Sequence, residues 1–325
     1  MTDRRSLLLA ATALVLPAAA PRAQAPGGRT VRLVVPFPAG GATDLFARAL
    51  QQKLGQALGA TLVVDNKPGA GGAIGSDLAA KAPPDGQTLL LATTSTHSVG
   101  PALATAARRL PYDTVRDFTP IGFVGTAPSI MLVPTASPAK TVREWIELAK
   151  KSPGRYNYAS SGNGTIVQLT AELFKAQAGV FVTHIPYKGT ALAIPDLASG
   201  KVDVLFDSLP SGLPHVRDGR LRALGITSLR RSPLAPELPP LADTLPGFEA
   251  VTWFGLYGPA GMPPEAVQRV NAALNQALAD AEVRASLARL GIDPAGGTPA
   301  RFAAMVDADR ALWKRIVDER KIVAD

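Results

Sequence analysis

Two segments of the chain share a construction suited to holding an anion. Pro36-Phe37-Pro38-Ala39-Gly40-Gly41-Ala42-Thr43-Asp44 follows an apolar, β-branched run and leads into a helical pattern, and Ala159-Ser160-Ser161-Gly162-Asn163-Gly164-Thr165 does the same further on. Glycines let backbone N–H groups turn inward at a helix N-terminus, where unpaired donors and the helix dipole favour negative charge, and Ser and Thr hydroxyls add donors. Gly, Ser and Thr also merely cap helices, so one such loop alone says little. Two of them, at strand ends where open sheets place their ligands, say more. Neither loop contains Arg or Lys, so a carboxylate would be held by many modest hydrogen bonds instead of one strong ion pair. Asp207 ends the apolar stretch Val202 to Phe206, where a cleft would open; it either orients a ligand hydroxyl, amine or water or caps the next turn, and both readings stand.

Other chemistry fits poorly. Lys67-Pro68-Gly69-Ala70-Gly71-Gly72-Ala73-Ile74-Gly75 misses the dinucleotide fingerprint, because the third glycine should stand at Ile74. Ser160 and Ser161 lack the preceding glycine of a nucleophile elbow, and Ser137-Pro138-Ala139-Lys140 has no partner motifs. His97, His184 and His215 are read as structural or surface histidines. An exported hydrolase using Ser160 or Ser161 with a histidine would need demonstrated turnover, so no catalytic residue is assigned. The absence of cysteine excludes disulfides, thiolate metal sites and a lipoprotein anchor, and no metal site or cofactor is expected.

The elements that must position these loops alternate. Val31 to Val35, Thr61 to Val64, Thr88 to Ala92 and Ile121 to Gly125 read as strands, with helices after Thr43 and over Ala73 to Ala80. A second set starts with Ile130 to Val133 and a capping box, Thr141-Val142-Arg143-Glu144, and continues with strands at Tyr156 to Ala159, Phe181 to Ile185, Val202 to Phe206 and Leu221 to Ile226. An amphipathic helix is expected from about Thr165 to Gln177. Ser232 to Pro246 lacks periodicity and reads as a surface connection, Trp253 to Tyr257 as a strand, and the helices from Pro264 and Pro299 should pack back on the first unit. Strands spaced by helices imply two α/β units, each a mixed, mainly parallel sheet flanked by helices.

The N-terminus reads as an export signal over residues 1–25: Arg4-Arg5, then an apolar run from Leu7 to Leu16 that is too short to span a bilayer, then Ala23-Gln24-Ala25. Both the general secretory and the twin-arginine routes fit. The chain of 325 residues is 46% hydrophobic and 18% charged, which is a globular composition. Its net charge of +8 comes without basic runs or aromatic interleaving, so nucleic acid is not an expected partner and small anions are.

Pro36 to Asp44, Asp65-Asn66-Lys67-Pro68-Gly69-Ala70-Gly71-Gly72, Tyr158 to Thr165, Pro186-Tyr187-Lys188-Gly189, Val202 to Asp207 with Leu209-Pro210, and Trp253-Phe254-Gly255 together resemble the substrate-binding proteins of tripartite tricarboxylate transporters, the Bug family. The resemblance implies a periplasmic, non-enzymatic two-lobed receptor of the type II flytrap kind, and a monomer is the default expectation for a soluble shuttle. It would close on a small carboxylate and hand it to integral membrane subunits of a secondary transporter; a ligand-dependent sensor presenting its closed form to a histidine kinase is the alternative. It further implies lobes made of 26–126 with 253–325 and of 127–252. The matching ligand positions are Phe37, Gly40, Gly41, Thr43 and Asp44 in the first lobe, Ser160, Ser161, Gly162, Gly164 and Thr165 in the second, and Asp207, Thr94 and Thr96. The chain departs from the family at Ala191-Leu192-Ala193-Ile194, which would favour an apolar ligand tail if those side chains face the cleft.

Overall fold

The computed structural model describes residues 29–103, 109–320 and 322; the expected leader and its cleavage point lie outside them. β1 (Thr30–Val35), β2 (Thr61–Asn66) and β3 (Thr88–Thr93) form a parallel set with α1 (Ala42–Leu58) and α2 (Ala73–Ala80) as the crossovers. Alternate side chains enter different cores: Leu33, Leu89 and Leu91 pack with Phe46 and Leu50, whereas Val34, Leu90 and Ala92 pack with Trp253, Tyr257 and Phe302. A sheet buried on both faces explains the unbroken apolar runs.

After β3 come a π-helical turn (Ser95–Val99) and the single turn α3 (Gly100–Ala102). Then β4 runs as one strand over Phe118–Pro134, so the two strands expected at Ile121 to Gly125 and Ile130 to Val133 are a single element. The intervening Gly125 to Pro128 reads as a break in isolation. Pairing with the antiparallel β9 (Val251–Pro259) through Pro128 keeps it extended, and bulges on either side of Phe123 absorb the twist.

The far half of β4 pairs with β7 (Val204–Ser208) and β8 (Leu221–Ile226), and β7 continues parallel to β5 (Asn157–Ser160), which pairs with β6 (Thr183–Pro186). α4 (Val142–Lys151), α5 (Ile166–Ala178), α6 (Thr190–Ala198) and α7 (Leu209–Arg217) flank these strands. The Thr141 cap forms as expected, its hydroxyl accepting from the Glu144 N–H. The second core gathers Ile130, Leu132, Trp145, Leu169, Phe174 and Phe206. Ser232 to Pro246 is more than a surface connection, because Ala235, Leu238, Leu241 and Leu245 are buried in that core.

α8 (Pro264–Ala279) packs against α1, as expected, and is followed by α9 (Ala281–Arg289), a helix the sequence reading omitted although Asp280 caps it through the Glu282 and Val283 N–H groups. A two-residue strand, β10 (Asp293–Pro294), joins β4, and α10 (Pro299–Arg320) ends the described fold. α10 serves both units: Phe302 lies on Gly255 of β9, where any Cβ would collide with the ring, while Trp313 and Val317 enter the second core. The architecture is a two-lobed mixed α/β fold whose sheet is continuous through β4 and β9. No described helix is long and apolar enough to cross a membrane.

Candidate ligand-binding site

The loop after β1 is fixed by Asp44. Its Oδ2 accepts from the Gly40 N–H and from Arg48 Nε, both at 2.9 Å, and its Oδ1 accepts from Asn66 Nδ2 at 3.1 Å. Asn66 also donates to the Phe37 carbonyl at 3.0 Å. Burial alone would push the Asp44 carboxyl up, but the Arg48, Gly40 and Asn66 hydrogen bonds outweigh it and hold the group below its ordinary range. Gly40 adopts φ +81°, which lets its N–H turn back onto that carboxylate. Asp44 therefore shapes the loop. The result is an open helix head, since the Gly41 cap of α1 offers no side-chain acceptor and the first amides of α1 have no intrahelical partner.

The loop after β5 is held differently. Ser160 Oγ accepts from the Gly162 N–H at 3.1 Å and bonds His184 Nε2 at 2.6 Å, while the His184 ring stacks on Tyr158. Gln168 Oε1 accepts from the Gly164 N–H at 2.6 Å, and Thr165 donates to the Gly162 carbonyl and caps Gln168. The amides of Gly162 and Gly164 are thus satisfied by the protein, and Ser95 Oγ takes the Ile166 N–H at 3.0 Å. Of the amides at and before the head of α5, those of Gly162, Gly164, Ile166 and Gln168 are occupied by the protein. One other head is free, that of α6, where Gly189 makes no side-chain cap; at α7 the Ser208 N–H is taken by Asp207 Oδ1 at 2.9 Å and Pro210 has no N–H.

Between the loops lies a cavity of about 60 Å³. It is lined by Phe37, Pro38, Gly41, Ala42, Thr43, Thr93 and Ser95 around the ends of β1 and β3, by Ser129, Thr252 and Phe254 of β4 and β9, and by Ser161, Ile166, Val167, Gly189, Thr190, Ala191, Asp207 and Ser208 around the ends of β5, β6 and β7. No Lys, Arg or His is among them, so the open N-termini of α1 and α6 and a ring of hydroxyls supply the polarity. Of the positions named from sequence, Phe37, Gly41, Thr43, Ser161 and Asp207 reach the cavity. Gly162 and Gly164 border a wider crevice of about 560 Å³ with Gly71, Asn163 and Lys188, and Gly40, Asp44, Ser160 and Thr165 line neither space.

Thr94 and Thr96 are turned into the framework. Thr94 Oγ1 accepts from the Trp253 N–H at 2.8 Å, and Thr96 Oγ1 bonds both backbone groups of Thr93 and the ring of His97. Ser95 between them is the residue that faces the cavity, and sequence reasoning missed it together with Thr93, Gly189, Thr190 and Ser208. A usable signal was present in Pro186-Tyr187-Lys188-Gly189, a glycine immediately before a helix. Of the segment from Ala191 to Ile194, Ala191 lines the cavity, whereas Leu192 is exposed and Ile194 packs in the second core.

Asp207 is fully buried, and desolvation raises its carboxyl to about 6 although Ser211, Thr190 and the Ser208 N–H stabilise the charged form. His97 is packed against Phe118 and Tyr257, and burial lowers it to about 3, consistent with a neutral core ring. No histidine lines the cavity beside Ser161, and Ser160, which does meet His184, is turned away from it. No described cluster of His, Asp and Glu could hold a metal ion.

Similar proteins align with this chain over nearly their whole length. A protein encoded in the tcbD-tcbE intergenic region of a Pseudomonas strain is 40% identical, with 99% of this chain and 96% of the relative aligned. The BugT protein of Bordetella pertussis is 35% identical over 90% of this chain and 89% of its own. Among solved structures, the periplasmic binding protein BugD superposes with a TM-score of 0.86 at 32% identity, covering 91% of this chain and 98% of that one. A Rhodopseudomonas palustris protein with adipate gives 0.87 at 34% identity, covering 91% and 98%. MatC of the same organism, with bound malate, gives 0.84 at 32% identity, covering 89% and 99%. The model of the tripartite tricarboxylate transporter family receptor matches residues 46–322. With that match spanning most of the chain and these relatives sharing its fold, the protein belongs to the tripartite tricarboxylate transporter receptor family.

Proposed function

We propose that this receptor captures a small carboxylate between its lobes in the periplasm and delivers it to the integral membrane subunits of a tripartite transporter. The observation that carries the reading is the cavity: it lies between lobes, is lined by open helix heads and buried hydroxyls, and has no cation in its wall. Relatives with adipate and malate support carboxylates as the ligand class. In this reading residues 26–126 with 253–325 form one lobe and 127–252 the other, and the mature chain works as a monomer. Phe37, Gly41, Thr43 and Ser161 touch the ligand and Asp207 borders it. Gly40, Asp44, Ser160, Gly162, Gly164 and Thr165 shape the two loops, and Thr94 and Thr96 frame Ser95.

The chemistry is capture without conversion. A ligand that touches both lobes favours the closed form by its differential affinity for it, and the closed form is what a membrane partner can read. A thermal-shift screen of refolded residues 26–325 against small carboxylates tests the proposal, since a ligand at 100 times its dissociation constant adds about 2.7 kcal/mol. Saturable stabilisation by one acid class is expected; a flat response across the screen contradicts it.

A further inference from the structure

Thr93 and Ser208 bring two buried hydroxyls, from opposite lobes, to the wall of the cavity, and neither Oγ has a hydrogen-bond partner among the described residues. Buried hydroxyls left unpaired are costly, so the pair implies a complementary group on the ligand. On the reading that the site takes a carboxylate, we propose that it selects a hydroxy monocarboxylate, with the carboxylate at the heads of α1 and α6 and an uncharged ligand hydroxyl between Thr93 and Ser208.

Three alternatives fit less well. An apolar tail leaves both hydroxyls unpaired, whereas one ligand hydroxyl can donate to one of them and accept from the other. A second carboxylate accepts only; it would be desolvated beside the buried Asp207 carboxyl, with no Lys or Arg in the lining to offset it. An ammonium group would meet the positive ends of α1 and α6, whose uncapped heads border the same small space, and the Asp207 carboxyl in the wall is already engaged by Ser211 and the Ser208 N–H.

Calorimetric titration of refolded residues 26–325 with two matched sets separates these cases. One set is propionate, lactate, malonate and alanine; the other is butyrate, 3-hydroxybutyrate, succinate and 3-aminobutyrate. In at least one set the hydroxy acid should bind about tenfold or more tighter than each of its isosteres, the discrimination expected of a site built to pair a hydroxyl. Thr93→Val and Ser208→Ala should each narrow that gap to about threefold or less. Acids that bind without preference for the hydroxyl, a dicarboxylate or amino acid that binds best, or a gap that survives both substitutions would overturn the selectivity while leaving carboxylate capture standing. Absence of binding by every acid would overturn both.

Discussion

Ser95 and Ile166 tie the turn after β3 to the head of α5: the hydroxyl oxygen of Ser95, at the start of the π turn, accepts from the first amide of the helix at 3.0 Å. The bond uses one of the donors that a helix head leaves without an intrahelical partner, and on the lobe division proposed above it spans the two lobes. Closure is therefore supported by protein contacts as well as by ligand. Ser95→Ala should shift the ligand-free receptor toward the open form by about fivefold in population, the equivalent of about 1 kcal/mol for one hydrogen bond. Because the chain has no cysteine, spin labels on Gln52→Cys in α1 and Lys151→Cys in α4, both exposed, report the interlobe distance cleanly by double electron–electron resonance. Identical distance distributions for the parent and Ser95→Ala would refute the latch.

Two glycines sit where the lobes touch. A Cβ on Gly71 would stand 2.5 Å from the Asn163 carbonyl oxygen, and one on Gly189 would stand 2.5 Å from Pro38 Cδ. Gly71 also holds φ +64°, which costs a residue with a side chain about 1 kcal/mol. Gly71→Ala and Gly189→Ala should each weaken carboxylate binding by about tenfold or more through incomplete closure. The ligand-free melting temperature should move by only a few degrees, because neither contact belongs to a lobe core. Unchanged affinity in both variants would contradict this.

Asp207 makes stability depend on pH in a defined direction. Its folded-state value of about 6 lies above the ordinary 3.8, so the folded chain holds this proton more tightly than the unfolded one. Its contribution is fully present below the ordinary value and is lost as pH rises through about 6, a change of about 2–3 kcal/mol. Asp207→Asn lacks that titration. Between about pH 4 and pH 7.5 the Asn variant should gain this amount relative to the parent in urea unfolding. A constant difference across the range would show that Asp207 is not so perturbed.

The Asp44 carboxylate gathers Gly40, Arg48 and Asn66 into one cluster beneath the cavity. Asp44→Ala should cost about 1–2 kcal/mol, because it removes three hydrogen bonds whose donors, Gly40, Arg48 and Asn66, can still turn to water, and should also weaken ligand binding by loosening Phe37 to Gly41. Lost stability with intact affinity would separate the cluster from the site.

Much of this molecule was legible in its sequence, and the omissions have local causes. α2 falls over Ala73–Ala80 as periodicity predicts, and Thr141 caps α4. The union of β4 escaped detection because long-range pairing with β9 overrides the Gly and Pro residues in its middle. Within the site, Gly-rich composition marked both loops but could not tell a free amide from one already held by Gln168 or Ser160. Thr94 and Thr96 were named in place of Ser95 because a π turn sets which of three adjacent hydroxyls points inward, and residue type alone does not reveal that. Thr93 and Ser208 became visible only when strands from two lobes brought them to one space.

The central claim is that a carboxylate binds at the head of α1 between the lobes, and calorimetric titration of the refolded protein with the best acid of the screen, against Thr43→Val, tests it most directly. The account predicts one saturable site in the parent, with affinity about tenfold weaker in the variant, whose hydroxyl donor is gone while its shape is kept. Equal affinity in the two proteins, or no saturable heat with any carboxylate, would contradict it.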